Sequence, residues 1–227
     1  MPARNSRKNY VENNYYHIYN RGVEKRKIFL DKQDYAVFLS YLKEYLLLKD
    51  EDQLRKRLMD PNATSREKDR IIRLVRMNNF THEITCLAYC LMPNHFHFFV
   101  RQKSAVSIDR FMNSLGTRYT MYFNKKYRRV GPLYQGVYKA VVVNTEEQFL
   151  HLSRYIHKQA LALQGEALQE QPSSYLDYLG IRKTEWIKPH EVLAYFSKTK
   201  AMLSYEAFVN QEESIDIIKD IEIENCF

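Results

Sequence analysis

One stretch, Cys90-Leu91-Met92-Pro93-Asn94-His95-Phe96-His97-Phe98-Phe99-Val100, constrains the fold of this chain more than any other. Pro-Asn between two apolar runs marks a tight turn, and the residues that follow are aromatic and β-branched, so the segment reads as a turn feeding a β-strand. Side chains alternate across a strand, which sends His95, His97 and Phe99 to one face and Phe96, Phe98 and Val100 to the other. Two imidazoles are thereby held about 7 Å apart on a stiff ribbon, close enough to converge on one ion. A lone strand histidine is more often an ordinary core or surface residue, and two do not complete a metal site. A third ligand has to come from elsewhere.

The elements around that turn follow from period and capping. Tyr15 to Tyr19 is a short strand signal that stops at Asn20-Arg21-Gly22. Asp31 caps a helix with Ala36, Phe38, Leu39, Leu42, Leu46 and Leu47 at helical spacing. Residues 49–80 are charge-dense and broken at Pro61-Asn62. They read as an exposed helical insertion carrying Arg66, Arg70, Arg73 and Arg76, a run that is usually only a solvated face. Thr81 to Leu91 and His95 to Gln102 form an antiparallel pair. Ser107 is expected to cap a second long helix, Ile108 to about Tyr127, and Val137 to Val143 is a further strand.

Thr145-Glu146-Glu147-Gln148 is a capping box that opens a third helix. Its buried stripe is Phe149, Leu152, Ile156, Ala160 and Leu163, with His151, Tyr155 and Gln159 as a polar stripe along the border. The order strand, helix, hairpin, helix, strand, helix implies an α+β fold, a ferredoxin-like antiparallel sheet with packed helices. Residues 1–163 form this domain, beginning with a polar, basic arm over 1–14. Residues 164–174, rich in Gln, Glu, Gly and Ser, read as a linker. Residues 175–227 are a smaller, mostly helical extension with an acidic tail.

Charge is unevenly placed. Of a formal net charge of +8, residues 101–160 contribute 11 basic and 3 acidic side chains, while residues 161–227 carry 6 and 12. A basic field of that kind suits a polyanion. Tyr119, Tyr122, Tyr127, Tyr134 and Tyr138 lie within it and offer faces for unpaired bases, although packing is the default use of tyrosine. Gly131 and Gly136 have P-loop spacing, but Val137 and Tyr138 stand where Lys and Ser/Thr are needed, which argues against triphosphate hydrolysis. Between Ile84 and Thr145 the sole acid is Asp109, too few to hold two divalent ions. Cys86, Cys90 and Cys226 are too few for a disulfide framework, so Cys86 and Cys90 read as buried thiols. No apolar run reaches membrane-spanning length and the N-terminus lacks a signal-peptide core, so a cytoplasmic protein is expected, with no membrane partner.

Four motifs in order, Tyr-His-Ile-Tyr-Asn-Arg-Gly (16–22), Met-Pro-Asn-His-Phe-His (92–97), Gly-Pro-Leu-Tyr-Gln-Gly-Val-Tyr-Lys (131–139) and Ser-Arg-Tyr-Ile-His (153–157), make the chain resemble the single-tyrosine transposases of the HUH superfamily. The likeness extends over about residues 15–180 and points to their REP-associated branch. It implies a metal-dependent single-stranded DNA endonuclease and strand transferase. Tyr155 would be the nucleophile, forming a 5′-phosphotyrosine intermediate, with His95 and His97 as metal ligands and Gln159 as the third. Where REP-associated members tend to have Asn-Pro, this chain has Gln159-Ala160, and Gln at that position is familiar from the insertion-sequence relatives.

Mg²⁺ or Mn²⁺ is the implied cofactor, and single-stranded DNA beside a hairpin the implied partner, with a homodimer left open. His151 or Lys158, flanking Tyr155, is a candidate proton acceptor or phenolate stabiliser. Arg21, Arg118, Lys125, Lys126, Arg128, Arg129, Tyr134, Lys139 and Arg154 are candidate DNA contacts. Two alternatives stand beside this reading: a non-catalytic DNA- or RNA-hairpin-binding protein derived from such an enzyme, and a zinc hydrolase built on His95 and His97.

Overall fold

The computed structural model describes residues 10–162 and 172–211. Its centre is a four-stranded sheet of β1 (Tyr15–Arg21), β2 (Ile84–Met92), β3 (His95–Gln102) and β4 (Lys139–Val142). The spatial order is β2-β3-β1-β4 and every neighbouring pair is antiparallel. With α1 (Lys32–Leu46) between β1 and β2, and α4 (Ser107–Lys126) between β3 and β4, two split β-α-β units interleave, which is the expected ferredoxin-like arrangement.

Strand alternation divides the core into two layers. Tyr16, Ile18, Phe96, Phe98 and Val100 face α1 and α4, where Phe38, Leu42, Phe111, Leu115 and Tyr119 close over them. On the other face Leu87, Ala88, Cys90 and Phe99 meet Phe149, Leu152, Tyr155 and Ile156 of α5 (Glu146–Leu161). Adjacent Leu87 and Ala88 can share that face because the β2–β3 register shifts between Cys86 and Ala88, a bulge that resets the alternation. Cys86 and Cys90 are buried free thiols.

Local details both follow and depart from the pattern. Asp31 caps α1, accepting from Asp34 N at 3.0 Å. Ser107 does not cap α4: Val106 takes the cap position, and Ser107 is instead buried, its hydroxyl 2.9 Å from Ser104 Oγ. The insertion is a pair of helices, α2 (Glu51–Leu58) and α3 (Ser65–Arg76), the second opened by a reciprocal Thr64–Glu67 capping box. The part of the N-terminal arm that is described is docked: Tyr10 OH lies 2.8 Å from Tyr138 OH, and Val11 O accepts from Gln102 Nε2 at 3.0 Å. Residues 1–9, Leu163, most of the linker and the acidic tail lie outside the described residues.

The C-terminal segment shares the α5 core. Pro172 O accepts from Leu91 N at 2.9 Å and Ser174 N donates to Tyr89 O at 3.0 Å, so residues 172–174 run along the edge of β2 and do not act as a spacer. Helices α6 (Tyr175–Tyr178), α7 (His190–Leu193) and α8 (Tyr205–Asn210) bring Tyr175, Tyr178, Val192, Tyr205 and Val209 against α5. Among the described residues no helix is long and apolar enough to cross a membrane.

Asp34 ties α1 to α4. Its buried carboxylate accepts from Lys126 Nζ at 2.8 Å, Tyr127 OH at 2.8 Å, Tyr122 OH at 3.0 Å and Leu30 N at 2.8 Å. Burial alone would raise its pKa, but these donors outweigh it and hold the carboxyl below its ordinary value. Removing the carboxylate leaves Lys126 with Asp31 alone and takes the acceptor from the Tyr122 and Tyr127 hydroxyls and the Leu30 amide. Asp34→Ala is therefore expected to lose about 3 kcal/mol in urea unfolding at pH 7. A depressed folded pKa stabilises only while the unfolded carboxyl is ionised, so the gap to wild type should close as the pH falls below about 4.

Candidate active site

The Met92-Pro93-Asn94 turn is built into its surroundings. Pro93 O accepts from Ile28 N at 2.7 Å and Phe29 N at 3.0 Å, and Asn94 O accepts from Gly22 N at 2.8 Å. Val23 N donates to Leu133 O and Gln135 N to Arg21 O, each at 2.9 Å. Three of the sequence motifs thus meet at one end of the sheet. Gly22 is required by the closeness of that approach, since a Cβ there would sit 2.2 Å from Arg26 O.

His17, His95 and His97 all face α5. His97 is fully buried, with Nδ1 2.9 Å from His17 Nε2 and the two rings stacked at 5.2 Å. Its other nitrogen, Nε2, is buried without a hydrogen-bond partner among the described residues. His95 sits edge-on to His97 at 4.9 Å, and its Nδ1 is 2.6 Å from Asn94 Oδ1. Burial, reinforced by the nearby Arg21 guanidinium, pushes the His95 pKa down to about 4. Burial, with the neighbouring histidines, drives that of His97 well below the ordinary value. Both rings are neutral at pH 7, the form in which imidazole binds a metal. The sequence pattern does not single out His17 or Asn94. His17 sits two residues before Tyr19, and the register Tyr19↔His97 across β1 and β3 is what brings it to His97.

Tyr155, on α5, packs its ring edge-on to His97 at 5.4 Å and to His17 at 5.9 Å, and is 4 % exposed. The single chain places its own tyrosine helix over its own histidines. Gln159 lies one turn further along α5 and is half-buried. The flanking groups turn away from this centre. His151 Nδ1 is 2.8 Å from Arg154 Nη2, with its ring against Phe208, and Lys158 Nζ donates to Gln211 O at 2.8 Å. His157, from the same motif, is a clamp: Nδ1 is 2.6 Å from Tyr205 OH and Nε2 2.8 Å from Ser174 Oγ.

The profile of a family described as "Transposase IS200 like" matches residues 53–159, a span that holds His95, His97, Tyr155 and Gln159. Among solved structures, a REP-associated tyrosine transposase bound to a REP hairpin aligns at 9 % identity and a TM-score of 0.41, covering 81 % of this chain and 96 % of its own. A protein described as a transposase from Deinococcus radiodurans R1 aligns at 15 % identity and 0.33, covering 68 % and 97 %. These likenesses are loose. No curated protein matches the chain.

Around this centre the candidate DNA contacts divide sharply. Arg21, the cross-strand partner of His95, and Lys139, the partner of Tyr19, belong to the histidine face. Arg21 Nε donates to Gln135 Oε1, and Lys139 Nζ lies 5.6 Å from the Tyr19 ring. Lys125 and Arg128 are exposed. The rest are committed internally. Lys126 is held by Asp31 and Asp34, and Arg129 donates to Asn124 Oδ1 at 3.2 Å. Arg118 pairs with Glu44 at 2.6 Å and lies 3.7 Å over the Tyr41 ring. Arg154 is 2 % exposed and stacks on Phe208 at 4.6 Å, so burial removes it from any DNA-facing surface.

The tyrosines divide the same way. Tyr119 is buried and donates to Ile28 O at 2.6 Å, Tyr122 and Tyr127 bond Asp34, and Tyr138 is buried. Tyr134 packs edge-on to Phe96 with its hydroxyl buried, which raises its pKa. Gly22→Ala forces the 20–26 turn off the Asn94 carbonyl. It is expected to cost about 1–3 kcal/mol of stability by thermal unfolding.

Proposed function

We propose that this protein is a metal-dependent single-stranded DNA endonuclease and strand transferase, acting at hairpin-flanked sites through a 5′-phosphotyrosine link at Tyr155. The observation that carries the reading is the contact of Tyr155 with a fully buried His97 whose Nε2 has no hydrogen-bond partner among the described residues. A neutral imidazole with its proton on Nδ1, donated to His17, keeps the Nε2 lone pair for a cation. An orphaned nitrogen in an apolar interior costs free energy unless something binds it. The donor set fits a divalent ion: His95, His97 and the Gln159 amide oxygen would hold it. When bound, Mg²⁺ or Mn²⁺ supplies charge neutralisation at the phosphoryl oxygens.

The chain's own residues do the rest. The Tyr155 oxygen bonds to phosphorus as the P–O3′ bond breaks, the phenolic proton is lost and the leaving 3′ oxygen takes one up. Ester is exchanged for ester, so no triphosphate is consumed. Arg21 and Lys139 sit on the histidine face and neutralise the approaching backbone. Because Tyr155 is 4 % exposed, a phosphodiester reaches it only when the side chain or its helix moves. His17 acts through His97, fixing its ring and tautomer.

Incubation with labelled hairpin oligonucleotides and Mn²⁺ should give a covalent band on a denaturing gel. Tyr155→Phe should abolish that band while leaving binding nearly intact; a band that persists removes Tyr155 from the role. His95→Ala and His97→Ala should each lose cleavage. Salt-dependent binding with no adduct under any metal would mark a non-catalytic hairpin-binding protein. His17→Ala should reduce metal-dependent cleavage about 10- to 100-fold, the range typical of residues that orient a metal ligand, with oligonucleotide affinity retained.

A further inference from the structure

Of the eleven cations in the basic 101–160 block, Arg101, Arg110, Arg118 and Lys126 are paired with acids inside the fold, and a separate group of exposed positive charges lies on α3 of the insertion. Arg66, Arg70, Arg73 and Arg76 are all exposed. Among the described residues none of the four makes a hydrogen bond, ion pair or ring contact, in contrast to Arg101, Arg110, Arg118 and Arg182. At 3.6 residues per turn, Arg66, Arg70 and Arg73 fall within an arc of about 60°, with Arg76 about 60° further round and Asp69 between. The helix buries its opposite side through Ile71.

We infer that the α3 arginine face is a second nucleic-acid contact, one that grips the phosphate backbone of a duplex stem. From Arg66 to Arg76 the helix rises about 15 Å, matching four to five nucleotides at about 3.4 Å of rise along one strand. The occupant is duplex and not unpaired strand because the surface has no stacking platform. Between residues 49 and 80 the only aromatic side chain is Phe80, and it is buried. Cations without aromatics suit backbone contacts that position a helix without reading bases.

The insertion is firmly rooted. Phe80 N donates to Tyr45 O at 2.7 Å, Asn79 Nδ2 to Leu47 O at 2.6 Å, and Lys49 Nζ to Met77 O. That root adjoins the start of β2, whereas the histidine turn follows its other end, roughly 26 Å away along the strand. A stem of about eight base pairs spans that length.

This rests on the reading of the protein as one that processes hairpin DNA, and its test separates the two. The triple variant R66Q/R70Q/R73Q is compared with wild type on an oligonucleotide with a ten-base-pair stem and on an unstructured single strand. Binding to the stem should weaken tenfold or more. The slope of log affinity against log salt should become shallower by about 2.7, which is about 0.9 for each of three phosphates no longer neutralised. Binding to the single strand should not change, and Lys at the three positions should restore the stem affinity. Wild-type affinity and slope on the stem, or equal weakening on both probes, would overturn the inference. If wild type forms no covalent adduct yet the stem-specific weakening is seen, the catalytic reading falls and the duplex contact stands.

Discussion

The structure depends on keeping three imidazoles in the dry layer between the sheet and α5. A polar ring in that layer stays only if its nitrogens are satisfied, and an unpaired one costs about 1–3 kcal/mol. Here His17 and His97 satisfy each other, and Asn94 satisfies one nitrogen of His95. His97 Nε2 remains the exception. The turn that presents these rings is held through backbone bonds from Gly22, Ile28 and Phe29, so the geometry does not rely on the histidines alone.

The same layer explains why the C-terminal segment is integral to the domain. α5 is amphipathic on more than one side: Phe149, Leu152 and Ile156 meet the sheet, while Ser153, Arg154 and His157 are buried as well. Those polar groups need partners, and the C-terminal helices provide them. Tyr205 OH donates to Ser153 Oγ at 3.1 Å and bonds His157, and Phe208 covers Arg154. Burial drives the His157 pKa down to about 3, so the clamp is neutral at pH 7. The helix that carries Tyr155 is thus gripped from both sides.

Charge is distributed by the same logic. Cations on α4 are drawn into pairs because α1 and its cap present Asp31, Asp34 and Glu44 to them, and Asp34, fully buried, could not stay ionised without such partners. On the insertion Asp69 lies among the arginines of α3, but among the described residues no acid forms an ion pair with Arg66, Arg70, Arg73 or Arg76.

Much was legible in the residues themselves. Alternation at His95–Val100, the turn at Pro93-Asn94 and the Thr145 cap determine the strand, the hairpin and the helix, because period and capping are local properties. They also put His95 and His97 on one face and Tyr155 on the border of its helix. Local pattern has no view of which cross-strand residue stands opposite, so His17 and Asn94 were not visible as supports for the histidines. Nor does it reveal which cations find acids, since Lys126 and Arg118 look as solvated in sequence as Lys125. The sequence by itself determined the elements and the residue types on each face. Only the tertiary structure decided the partners, because register, burial and charge pairing are set by contacts between segments far apart along the chain.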